Sequence, residues 1–143
     1  MAEESTTPDL VELVRELTDA GFRRDFDAAL SAFAPDAVWE THGLGTSFDG
    51  VAAIRGLIED WRGSYEELEV EFEELLDMGN GITFGVMIQE GRPTGSLGQV
   101  RVRERHASVS VWAEGKINRV INYTDIDEGR AAAERLAQER ADG

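Results

Sequence analysis

Cysteine is absent from this chain of 143 residues. That excludes a disulfide frame, thiolate chemistry and a zinc–thiolate site, and it fits a reducing compartment. Histidine is nearly absent too: with only His42 and His106, a three-histidine metal centre cannot form within one chain. A centre using both histidines and Glu40 would require Glu40 and His42, two apart on a strand, to meet His106, so no metal is expected. No uncharged apolar run approaches the ~20 residues of a bilayer-spanning helix. The first residues, Met1-Ala2-Glu3-Glu4, are acidic where a signal peptide is basic. The chain therefore reads as cytoplasmic, with neither membrane span nor export signal. Basic residues are scarce: 14 Lys+Arg stand against 29 Asp+Glu, a net charge of −15. Such a surface repels phosphate backbones and anionic lipids, so neither nucleic acid nor a membrane is an expected partner.

What is present suffices for one core. Hydrophobic residues make up 41% of the chain, with three Trp and six Phe, which predicts a single domain over 1–143. Leu10, Val14 and Leu17 recur at helical spacing behind Pro8 and Asp9, and Gly21 stops that helix. Asp25 or Asp27 can cap a second helix through Ala28, Leu30 and Phe33, ended by Pro35. Residues 36 to 41 change to a period of two, the stretch from His42 to Thr46 reads as a loop, and Ser47 and Phe48 suit a short return strand. Asp49 or Gly50 opens a third helix whose face is Ile54, Leu57, Ile58 and Trp61, with Gly63 at its end.

From Leu68 the alternation is plain: Leu68, Val70 and Phe72 face one way, Glu69, Glu71 and Glu73 the other. Gly79-Asn80-Gly81 turns the chain into a strand from Ile82 to Gln89. A loop from Arg92 to Gly98, a long strand from Gln99 to Trp112, a tight turn at Glu114-Gly115 and a last strand from Lys116 to Thr124 follow. Residues 128 to 140 form a polar, Ala-rich helix, read as lying outside a core of about 9–126 together with the acidic N-terminal tail. In the long strand, Val100 and Val102 keep one parity and Ala107, Val109 and Val111 the other. If both sets face the core, an extra residue must enter near Arg103 to His106, and a β-bulge is predicted there. Otherwise Arg101, Arg103 and Arg105 would share a face with the apolar set, inside the protein. Helices followed by a strand meander give an α+β fold, a curved mixed or antiparallel sheet wrapped around the N-terminal helices as a cone with an interior pocket.

The order of elements, together with Phe33-Ala34-Pro35-Asp36-Ala37-Val38-Trp39, Phe48-Asp49-Gly50-Val51-Ala52-Ala53-Ile54-Arg55 and Gly115-Lys116-Ile117 leading through Arg119 and Tyr123 to Asp125, resembles the SnoaL-like proteins of the nuclear-transport-factor-2-like superfamily. The resemblance covers about residues 9 to 126. It implies the fold and leaves the activity open, because that superfamily hosts isomerases, cyclases, epoxide hydrolases, dehydratases, binding proteins and dimerisation modules. The ketosteroid isomerase carboxylates fall on Thr41 and Ala107, and residues 9 to 20 contain no Tyr for that oxyanion hole, so isomerisation by that machinery is not implied. The Asp of the polyketide cyclases matches Asp125, while their His falls near Val111. The epoxide-hydrolase arrangement of two Asp and one Arg has no set of matched positions.

The candidate catalytic residues are Asp125, a carboxylate at a strand end, assisted by His106 or Tyr123. Asp125 also stands where it would cap the tail helix. Trp39 and Trp61 could line an apolar cavity and stack on a planar ligand, with His42 at its rim and Arg119 able to pair a ligand carboxylate. Three functions follow: a protein binding a small, largely apolar molecule; an acid–base isomerase, cyclase or dehydratase with no redox cofactor; or a dimeric scaffold whose cone is filled by its own side chains. Binding is the statement the residues support best. A homodimer is expected through the outer sheet face, with contacts between Arg101 and Arg103 of one copy and Glu69, Glu71 and Glu73 of the other.

Overall fold

The computed structural model describes residues 9–95 and 101–142. Helix α1 (Leu10–Phe22) starts where the Asp9 side chain accepts from the Glu12 amide at 3.2 Å. Asp25 caps α2 (Phe26–Ala29) in the same way through Ala28. This helix is a single turn, shorter than its apolar spacing predicts, and Phe33 opens strand β1 (Phe33–Thr41) instead of closing the helix. Sheet pairing decides the matter, since the Ile117 amide donates to the Ala32 carbonyl at 2.7 Å and Phe33 lies opposite Ile117. Pro35 sits where the register between β1 and its neighbour breaks, the place in a sheet where a missing N–H costs least.

Strand β2 (Thr46–Asp49) folds back on β1, and α3 (Val51–Gly63) starts after Gly50, whose φ of 93° suits glycine. Strands β3 (Tyr65–Gly79), β4 (Ile82–Pro93), β5 (Val102–Ala113) and β6 (Lys116–Tyr123) complete one six-stranded sheet in the order β2-β1-β6-β5-β4-β3. Only β1 and β6 run parallel; the other pairs are antiparallel. Gln99, Val100 and the later part of the predicted 92–98 loop lie outside the described residues.

The bulge expected near Arg103 to His106 is not there. Strands β4 and β5 pair without interruption from Ile82 opposite Val111 to Gly91 opposite Val102. The irregularity lies on β6 instead, where Val111 faces Arg119 but Trp112 faces Ile117, leaving Asn118 as the extra residue. Ile117 and Val120 can thereby face the helices together. A second extra residue, Glu73, does the same for Phe72 and Leu75 on β3.

The physical reason for the error is that two cores flank the sheet. On the inner side, Leu30, Phe33, Ile54, Trp112, Ile117 and Val120 pack beneath α1 and α3. On the outer side, Ile82, Phe84, Val86, Ala107, Val109 and Ile121 pack beneath α4 (Ile126–Asp142). The predicted polar helix is therefore part of the domain rather than outside it. Ala132, Ala133 and Ala137 let its backbone approach the sheet, and Gly129 sits so close that an added Cβ would lie 2.8 Å from that of Ala107. Arg130 closes the margin, over the Phe84 ring at 4.9 Å and paired with Glu74 at 2.7 Å. Among the described residues no helix is long and apolar enough to cross a membrane.

Arg101, Arg103 and Arg105 do share the face of Ala107 and Val109, but beyond the reach of α4. There they meet glutamates of their own sheet: Arg101 with Glu90 at 3.1 Å, Arg103 with Glu90 at 3.7 Å and Arg105 with Glu73 at 2.6 Å. Of the arginine–glutamate pairs expected between copies, Arg101 with Glu69 forms within one chain among the described residues, at 3.7 Å.

Candidate functional site

Because the apolar parity of β4 and β5 is claimed by α4, the opposite parity faces the helices, and that parity is polar. Thr83, Met87 and Gln89 from β4, Glu104, His106, Ser108 and Ser110 from β5, and Asn122 from β6 form the floor of a cavity of about 370 Å³. Trp39 and Thr41 extend the floor onto β1, while Val14 and Leu17 of α1 and Leu57, Ile58 and Trp61 of α3 form an apolar roof. Gly85 keeps the middle of the floor low: a Cβ there would come within 3.2 Å of Phe72 and Leu75.

Two buried polar atoms on this wall have no hydrogen-bond partner, Nε1 of Trp39 and Oδ1 of Asn122. Their strands are neighbours, with Trp39 opposite Val120 and Thr41 opposite Asn122, so an unmet donor and an unmet acceptor share one patch. An unmet buried group costs about 1–3 kcal/mol, and such groups in a native cavity call for an explanation. The indole of Trp39 is held by stacking on Phe33, centroids 6.2 Å apart.

Other floor groups are satisfied. Trp112 Nε1 donates to Thr83 Oγ1 at 3.1 Å. At the β3 end, Trp61 Nε1 donates to Gln89 Oε1 at 3.0 Å, and Gln89 Nε2 donates to Glu104 Oε1 at 2.9 Å. The Tyr65 hydroxyl donates to the same Glu104 oxygen at 3.2 Å, and burial followed by the Glu104 charge raises its pKa. Burial lowers the pKa of His106 below 6.5, against a smaller upward pull from Glu104, so the floor carries a neutral imidazole at pH 7.

The candidates read from the sequence divide. Trp39, Trp61 and His106 meet in the cavity wall. Asp125 does not: it is exposed and caps α4, accepting from the Glu128 amide at 3.1 Å. Arg119 stands on the opposite sheet face, paired with Glu40 at 2.8 Å, because the extra residue Asn118 turns it away from the helices. Tyr123 ends β6 at the cavity edge, but its ring belongs to the outer core, against Gly129. His42 lies in the exposed turn after β1, its ring 4.7 Å from that of Tyr123. Among the described residues no three His, Cys, Asp or Glu side chains gather to hold a metal.

Gln89, Glu104, Ser108, Ser110 and Asn122 escaped sequence reasoning, which took the apolar parity as inward. A signal was there: a solvated strand face carries long charged side chains, as Glu69, Glu71 and Glu73 do, whereas the polar parity of β5 turns to serines at 108 and 110. The Ala-rich tail helix also needed an apolar face to cover.

No curated protein matches the sequence. Solved structures share the fold. An NTF2-like protein of unknown function from Burkholderia pseudomallei is 20% identical with a TM-score of 0.69, covering 85% of this chain and 95% of its own. A putative SnoaL-like polyketide cyclase from Jannaschia is 16% identical with a TM-score of 0.69, covering 94% and 98%. An LEH-like epoxide hydrolase from M. tuberculosis is 19% identical with a TM-score of 0.64, covering 87% and 89%. The model of the SnoaL-like domain matches residues 14–120, across the helical roof and most of the sheet, and the chain belongs to that family.

Proposed function

We propose that this protein binds a small molecule with a largely apolar body in the cavity between the sheet and helices α1 and α3. The observation that carries the reading is the pair of unmet groups, Trp39 Nε1 and Asn122 Oδ1, in a wall otherwise apolar above and hydroxyl-rich below. A ligand offering an acceptor to the indole and a donor to the amide would satisfy both, and the roof would take up its apolar body. A volume of about 370 Å³ favours this over a scaffold whose cone is filled by its own side chains.

Native mass spectrometry of the protein purified from its own host, before and after denaturation, tests the reading. A released small molecule is the expected result; an apo protein that also binds nothing from a metabolite pool would count against it.

A second reading is favoured by His106. A neutral imidazole in a partly dry floor is a competent proton acceptor, which suits an isomerase, cyclase or dehydratase of the acid–base kind. In this reading His106 takes the lead expected of Asp125, whose carboxylate serves the helix. His106→Gln would then abolish turnover of the released ligand while leaving its binding within a few-fold.

We also propose that two copies pair through the part of the outer sheet face that α4 leaves uncovered, on β3 and the Arg101 end of β5. Charge reversal at Arg101 and Arg103 should dissociate the dimer in sedimentation; an unchanged profile would sink this idea.

A further inference from the structure

Resting on the cavity reading, we infer that the ligand carries a cationic nitrogen and that Glu104 selects it. Among the described residues the cavity wall contains one carboxylate, Glu104, and no lysine or arginine. Several other glutamates of this sheet are matched by arginines, Glu40 by Arg119, Glu73 by Arg105, Glu74 by Arg130 and Glu90 by Arg101, while Glu71 has no arginine partner among the described residues but stands outside the cavity wall. Glu104 is matched by none among the described residues.

The arginines near it are engaged elsewhere. Arg103 and Arg105, its neighbours on β5, point to the other face and pair with Glu90 and Glu73. Arg62 donates to the carbonyls of Phe22 and Tyr65. Residues 1–8, 96–100 and 143 contain no basic side chain to supply the charge.

Glu104 is exposed to solvent, yet its carboxylate is held in place. Gln89 and Tyr65 both donate to its Oε1, and Trp61 fixes the Gln89 amide so that its NH₂ points at the carboxylate. Gln89 is 4% exposed, so this support is built into the floor. The second oxygen, Oε2, accepts nothing among the described residues. A carboxylate oriented by neutral donors, with one oxygen open and no counter-charge in the wall, is complementary to an ammonium whose N–H would complete the set. Trp61, which lines the same cavity and bonds to Gln89, supplies an aromatic ring of the kind that attracts a cation. An anionic ligand would meet the charge of Glu104 and of a chain of net charge −15.

Three probes of one shape test the inference by calorimetry at low salt: 2-(1-naphthyl)ethylamine, 2-(1-naphthyl)ethanol and 1-naphthylacetate. The amine should bind about fivefold or more tighter than the alcohol, with the acid weakest, and the preference should shrink as NaCl is added. Glu104→Gln, close in shape, should bring the amine down to near the alcohol, costing the amine several-fold more than the alcohol, whereas Glu104→Asp should keep part of the preference. Circular dichroism of each variant checks the fold. Equal binding of amine and alcohol to the native protein, or a preference that survives Glu104→Gln, overturns the inference while leaving the cavity reading standing. Binding of none of the three overturns both.

Discussion

At the scale of single residues, Trp39 separates stability from binding. Its Nε1–H is buried without a partner, so Trp39→Phe removes an unmet donor while keeping an aromatic ring on Phe33. The variant should be as stable as the native protein or more so, by up to roughly 1 kcal/mol in urea denaturation, and should hold the native ligand more weakly. A large loss of stability would mean that the indole serves packing alone.

His106 gives the second test at this scale. Its folded-state pKa lies below 6.5, so between the two values the unfolded chain binds a proton that the folded chain excludes. Stability is therefore full above pH 6.5 and falls as pH drops from there toward the folded value. Glu73 and Glu74, held below 4.5 by hydrogen bonds from Arg105 and Arg130, add a separate acid loss that begins only as pH falls past 4.5. His106→Gln should flatten the first stage and leave the second; urea midpoints across this range would show whether it does.

At the scale of elements, α4 decides which side of the sheet is which. Gly129→Ala would gain about 1 kcal/mol of helix propensity. Its new Cβ, however, would lie 2.8 Å from the Cβ of Ala107 and 3.3 Å from Tyr123, neither of them a flexible side-chain end. Overpacking of this kind costs about 1–3 kcal/mol, so the net effect should be a loss, read as a lower urea midpoint at unchanged slope. Restored stability in Gly129→Ala with Ala107→Gly would locate the cost at that contact.

Most of the element order was legible in the sequence. Leu10 to Leu17, Ile54 to Trp61 and Leu68 to Phe72 carry a clear period, and Asp9, Asp25 and Gly50 mark the starts of the first three helices. What was not legible is which face of β4 and β5 a given parity would meet. Period two fixes that Ala107 and Val109 lie together, but both sides of this sheet are covered, so the period carries no sign. The same ambiguity hid Gln89, Glu104 and Asn122 from the list of site residues. It also underlies the expected bulge: the three arginines need no bulge to stay out of the interior, because α4 does not extend over them.

At the scale of the whole molecule, the net charge of −15 works against compactness. The exposed arginine–glutamate pairs on β3 and β5 are worth little individually, so the long-range repulsion should dominate the response to salt. Raising NaCl from about 0.01 M to about 0.15 M shortens the screening length from ~30 Å to ~8 Å and should raise the thermal midpoint. A midpoint that falls instead would show that the ion pairs outweigh the repulsion.

Strand β5 hands alternate residues to two clients. Ala107 and Val109 answer to α4; Glu104, His106, Ser108 and Ser110 answer to the cavity. Substitutions at the even positions can retune what the cavity accepts without touching the outer core, which leaves this strand free to drift in specificity while the domain stays folded. A one-residue slip of β5 against both neighbours would not dilute that arrangement but exchange it, setting serines against the alanine stripe of α4 and valines toward the cavity.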